Sequence, residues 1–124
     1  MPKVTFTKEN LLERTQLTAG WRKLRVKSVD EGPGKSDPTS TVWETVFIVD
    51  DGKDLGVPIR HWFSEKQMGR VAEFLRCFTG GQIEEGKVYE MNDAVGRAVD
   101  GYCRYHPDQK WNVIDDFRPS QKGA

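Results

Sequence analysis

Between Ser64 and Gly81 the apolar residues of the chain change their period. Met68, Val71, Ala72, Leu75 and Phe78 recur at spacings of three and four, which places them on one stripe of a helix. On either side the period is two, or the composition turns β-branched and aromatic. Upstream stand GWRKLRVKSV (20–29), TVWETVFIV (41–49) and VPIRHWF (57–63); downstream stand RAVDGYCRY (97–105) and WNVIDDF (111–117). The pattern predicts three strands, one helix and two strands. Five short strands with one helix must dispose of their sheet edges. A mainly β, five-stranded, partly closed Greek-key barrel with the helix between strands three and four does so. An ordinary α+β sheet of the same order is the alternative.

The punctuation supports these boundaries. Ser64 and Gln67 fit a capping box, and Gly80-Gly81 supplies a stop. Gly69, inside the helix, suggests a close packing contact. DEGPGKSDPTS (30–40) reads as a loop, expected to be mobile. HPDQK is short enough to join the last two strands as an antiparallel hairpin. Residues 82–96 hold turns, with a short strand around KVYEM as an option. Residues 1–19 read as an arm or a short helix, 20–119 as the barrel domain and 120–124 as a short tail.

A chain of 124 residues holds one domain. Its four Trp, six Phe and three Tyr supply large core pieces despite 31 % charged residues. No stretch approaches the roughly 20 apolar residues of a membrane span. MPKVTFTKEN lacks the apolar run of a secretory signal, so Cys77 and Cys103 are expected as free thiols in a reducing cytoplasm. Basic and acidic residues balance at 19 each, which argues against coating duplex DNA by field strength alone. The balance is uneven along the chain: seven basic against three acidic in 1–30, two against six in 31–56, four against two in 57–83. A neutral protein can therefore own a local basic groove.

The first strand shows where. Trp21, Lys23, Arg25 and Lys27 alternate with Leu24 and Val26, so one face is apolar and the other carries a tryptophan beside cations. Trp21 either covers the barrel end or offers a stacking platform beside phosphate contacts. Arg60 and Trp62 share one parity of the third strand, and Ile59, His61 and Phe63 the other; either row can be the core. Trp43 is equally divided between core and surface. Tyr102 and Arg104 share a side of the fourth strand, and Trp111, just after a turn, caps the core or stacks on a base. The candidate nucleic-acid-binding residues are therefore Trp21, Lys23, Arg25, Lys27, Arg60, Trp62, Tyr102, Arg104 and Trp111.

Other stretches look chemical without a supporting pattern. Cys77, Cys103, His61 and His106 lack the local pairing of structural zinc sites. Glu84-Glu85 and Asp115-Asp116 are adjacent, and neighbours on a strand point to opposite faces. DEGPGKSDP is not a phosphate-binding GxxxxGK[ST] loop. No metal, no cofactor and no catalytic set is expected, and the chain is not read as an enzyme.

Taken together, GWRKLRVKSV, the variable loop, TVWETVFIV, VPIRHWF, EFLRCFTGG, GKVYEMNDAVGRAV and WNVIDDFRP resemble small phage-type single-stranded DNA-binding proteins, some known only as a domain of unknown function. The resemblance covers roughly residues 15–119. Gly96 before Arg97-Ala98-Val99 matches a turn glycine ahead of the fourth strand, and Asn112 to Pro119 matches the closing strand and its proline. The resemblance implies an oligonucleotide-binding (OB) barrel that protects or presents single strands in phage replication or recombination, in the host cytoplasm. Cellular bacterial single-strand binders end in an acidic tail, whereas SQKGA has no acidic residue, so recruitment through such a tail is not expected.

The expected partner is single-stranded DNA, bound without sequence preference. Other replication or recombination proteins and a homo-oligomer stay open as partners; a membrane is not expected. The alternatives are a protein-interaction or structural accessory domain on the same small barrel, and single-stranded RNA binding.

Overall fold

The computed structural model describes residues 3–5 and 15–120. Five strands form a single antiparallel sheet: β1 (Gly20–Pro33), β2 (Thr41–Val49), β3 (Pro58–Ser64), β4 (Ala98–His106) and β5 (Trp111–Pro119). Their order is β3-β2-β1-β4-β5, so the first strand lies at the centre. β1 is long enough to pair on both sides, with Leu24–Arg25 meeting β2 and β4 at once. The two edge strands approach each other through side chains: His61 meets Phe117 at 5.4 Å, and Trp62 meets Trp111 at 5.9 Å between ring centroids. No ladder joins β3 to β5, so the sheet curls without closing by hydrogen bonds.

The alternation of β1 fixes which face is inside. Leu24 and Val26 are fully buried, opposite Val49 and Phe47 of β2. The same register settles β3: Ile59 stands opposite Phe47 and Phe63 opposite Trp43, so Ile59, His61 and Phe63 face inward. Arg60 and Trp62 are left on the outer surface. Trp43 also lies on the inner parity, partly buried against the core, with its Nε1–H donating to Glu31 at 3.0 Å. Gly101 is required by packing, since a Cβ there would meet Leu24 Cδ1 at 2.6 Å.

One helix, α1 (Met68–Arg76), packs under the β3–β5 seam. A 3₁₀ turn, Glu65–Gln67, precedes it, and Ser64 Oγ accepts from the Lys66 N–H at 3.2 Å. Ser64 therefore caps that turn rather than α1, which begins four residues later and has no side-chain cap from Gln67. The turn also changes the buried stripe. Val71 and Phe74 are buried, Leu75 and Phe78 are partly so, and Met68 is 54 % exposed. Phe74 touches Phe47, Phe63, Phe78 and Phe117, at the centre of an aromatic cluster. A Cβ at Gly69 would meet nothing within 4 Å, so no close contact accounts for that glycine.

Two further readings change. β1 runs on to Pro33, and only Gly34–Ser40 remains a loop. That loop is cross-linked: Gly34 N–H donates to Ser40 O, and Thr39 N–H and Oγ1 donate to Asp37 Oδ1 at 3.1 and 2.6 Å. KVYEM (87–91) forms no strand; its last residue opens a 3₁₀ turn, Met91–Ala94. Of the N-terminal arm, Thr15–Ala19 are described and not helical, while the helix option for 6–14 lies outside the described residues, as do 121–124 of the tail. Leu17 belongs to the core, held by Asn112, whose Oδ1 accepts from Leu17 N–H at 2.9 Å and whose Nδ2 donates to Thr15 O at 2.6 Å. No helix among the described residues is long and apolar enough to cross a membrane.

Candidate nucleic-acid interface

The outer face of β1 carries Trp21, Lys23 and Arg25 in succession, opposite Tyr102, Asp100 and Ala98 of β4. Trp21 is 38 % exposed. Tyr102 meets its edge at 5.6 Å, and the Arg118 guanidinium of β5 lies over one ring face at 4.1 Å from the centroid. Arg118 is itself held by Asp100, with Nε donating to Oδ2 at 3.2 Å. Trp21 is thus oriented and already cation-stacked on one side.

Lys23 and Arg25 lead from Trp21 into an open cleft of about 810 Å³. Its far wall is Arg97 and Phe78, and among the described residues no carboxylate lines it. Arg97 sits 5.4 Å from the Phe78 ring centroid. Gly96 makes this possible: its φ of +86° turns the chain so that Gly96 N–H donates to Val26 O and Val26 N–H donates to Arg97 O. Arg25 donates to Gly96 O at 2.7 Å and to Asp50 Oδ2 at 2.9 Å, so one of the three cations is partly neutralised. Cys77 lines the same cleft, and burial, with Asp116 adding to it, pushes its thiol up to about 11. Burial likewise raises the Cys103 thiol to about 12. Both are thiols at neutral pH and poor nucleophiles.

Lys27 leaves the row. The β1–β2 register shifts between Val26 and Ser28, and Ser28 takes the place opposite Val46, so Lys27 is the extra residue of a bulge. Arg104 is engaged by Asp115 through Nε–Oδ2 at 2.5 Å. Of the nine candidates, Trp21, Lys23, Arg25 and Tyr102 therefore gather on one surface.

Arg60, Trp62 and Trp111 gather on another, at the β3–β5 seam. Trp62 and Trp111 are 43 % and 47 % exposed and form a ridge between two clefts of about 500 and 290 Å³. Asp30, Glu31, Glu44 and Lys35 contribute the charges of the larger cleft. Arg60 lines the smaller one and approaches Glu44 at 3.9 Å.

Sequence reasoning missed Arg97, Phe78 and Arg118. Arg97 had a signal, a basic residue directly after the turn glycine Gly96. Phe78 was assigned to the helix stripe, and Arg118 fell one residue past the strand read from WNVIDDF (111–117). Among the described residues no group of three or more His, Cys, Asp or Glu side chains is placed to hold a metal ion.

These features define a small, mainly β protein with one curled antiparallel sheet and two surfaces of opposite charge character. Compared with known proteins, the chain matches no family model, no curated protein and no solved structure.

Proposed function

We propose that the chain is an OB-type barrel that binds single-stranded DNA without sequence preference. The strand order, with β1 central and β3 brought against β5, supports the barrel reading, as does the helix between β3 and β4. One observation carries the binding role. Trp21 stands at the head of a row of cations that enters a cleft ending at Arg97 and Phe78, with no carboxylate among its described lining residues. Cations neutralise a phosphate backbone, and aromatic rings at the two ends accept bases whatever their identity. Phage replication or recombination is the setting that the sequence resemblance suggests.

A salt-dependent titration against single-stranded DNA, single-stranded RNA and duplex tests the proposal. The expected result is single-stranded DNA bound well above duplex at about 50 mM salt, weakening as salt rises. Equal affinity for single-stranded RNA would extend the reading to single strands of either sugar. Absence of binding to a long oligonucleotide at low salt would refute it.

A further inference from the structure

We propose that the cleft at the Trp62–Trp111 ridge is a docking site for a basic, Arg- or Lys-bearing peptide segment of a partner protein. The proposal stands independently of the nucleic-acid reading. Two large aromatic side chains left half in water, side by side, are costly unless something covers them. Their surroundings select what that is. The larger cleft presents three carboxylates, Asp30, Glu31 and Glu44, against the single ammonium of Lys35. Asp30 makes no ion pair among the described residues, Glu31 spends one oxygen on the Trp43 indole N–H, and Glu44 is approached by Arg60 only at 3.9 Å, which leaves the rim net acidic. Such a rim repels a phosphate backbone and attracts guanidinium or ammonium groups. The electron-rich indole faces favour the same cations. At about 500 Å³ the cleft admits a few side chains of an extended segment. A second copy of the chain fits less well: the cations of the Lys23–Arg25–Arg97 group lie in a cleft of their own, and two concavities do not interlock.

A fluorescently labelled peptide of alternating Arg and Gly, titrated against the full chain at about 50 mM salt, tests this. The wild-type protein is expected to bind it and to shift the indole N–H resonances of Trp62 and Trp111. Trp62→Ala, Trp111→Ala and the double variant Asp30→Asn/Glu44→Gln are each expected to weaken binding roughly 3- to 30-fold. Trp21→Ala is expected to leave it unchanged, with circular dichroism confirming that each variant is folded. An oligothymidine titration run in parallel keeps the nucleic-acid proposal separately readable. Failure of the folded wild-type protein to bind the peptide would overturn the inference, as would binding indifferent to all these variants. Loss of oligothymidine affinity in Trp62→Ala with peptide affinity intact would assign the ridge to nucleic acid instead. Self-association abolished by Trp62→Ala would assign it to a second copy.

Discussion

The two ends of β5 carry opposite surfaces. Trp111, which opens the strand, belongs to a tryptophan ridge rimmed by carboxylates; Arg118, near its end, stacks on Trp21 beside a row of cations. Seven residue steps separate them, roughly 24 Å of strand. Both surfaces expose tryptophan, so aromatic content does not distinguish them. What differs is the charge beside the ring. Trp21 has Arg118 over its face and Lys23 next along the strand, whereas Trp62 and Trp111 overlook Asp30, Glu31 and Glu44. A chain of zero net charge thus keeps two fields apart, and local potential decides which ligand each surface admits.

The strongest way to break this comparison is to remove the cations of one surface. The triple variant Lys23→Ala/Arg25→Ala/Arg97→Ala should lower oligonucleotide affinity by roughly 100-fold at low salt and reduce the salt slope by about 2 units. Titrations at several salt concentrations check it. An unchanged slope would place the phosphates elsewhere.

A second prediction contrasts the seam with the paired strands. The seam depends on side chains alone, and His61 lies within it between Phe63 and Phe117. Burial, aided by Arg70 and opposed by Asp115, lowers its pKa from 6.5 to about 4. Below pH 6.5 the unfolded chain takes up a proton that the folded chain refuses. The stability that the neutral imidazole contributes is therefore full above that pH and is lost as pH falls toward 4, amounting to about 3 kcal/mol at most. Thermal melts across this range should show a falling Tm, and His61→Leu should flatten the fall. A parallel decline in the variant would move the cause to other groups.

On the cationic surface, Trp21→Ala should cost roughly 1–3 kcal/mol of oligonucleotide binding and leave the salt slope nearly unchanged. A large loss of thermal stability with normal binding in a folded sample would make Trp21 structural instead.

How much of this was legible in the sequence depends on whether the signal was local. β2 has the bounds its composition suggested, and the Trp21–Lys23–Arg25 row follows from alternation on β1. β3 was ambiguous because each parity of VPIRHWF carries an aromatic residue, and only pairing with β2 selects Ile59, His61 and Phe63 for the core. Lys27 illustrates the limit of alternation, since a bulge interrupts the period. The stripe on α1 had the right period but began too early, because a 3₁₀ turn occupies the first residues after Ser64. Arg97 and Phe78 are far apart in sequence and meet through the Gly96 turn, a tertiary event that no local pattern encodes.

The smallest expected effect concerns the Gly34–Ser40 loop beside the acidic cleft. The Thr39 hydroxyl and then Lys66, 2.9 Å away, hold the Asp37 carboxyl down at about 2. A depressed carboxyl contributes above its unfolded value of 3.8, and the contribution is lost as pH falls through about 2. Asp37→Ala should speed amide exchange at Thr39 with little change in Tm. Fast exchange at Thr39 in the wild-type protein at neutral pH would contradict the hydrogen bond to Asp37.

The central claim is that single-stranded DNA lies on the Trp21 surface and leaves the tryptophan ridge free. The four indole N–H resonances of the isotopically labelled protein, followed while a short oligothymidine is added, test it most directly. The account predicts that Trp21 shifts in a saturable, salt-sensitive manner while Trp62 and Trp111 stay in place. Saturable shifts of Trp62 and Trp111 with Trp21 unmoved would contradict it.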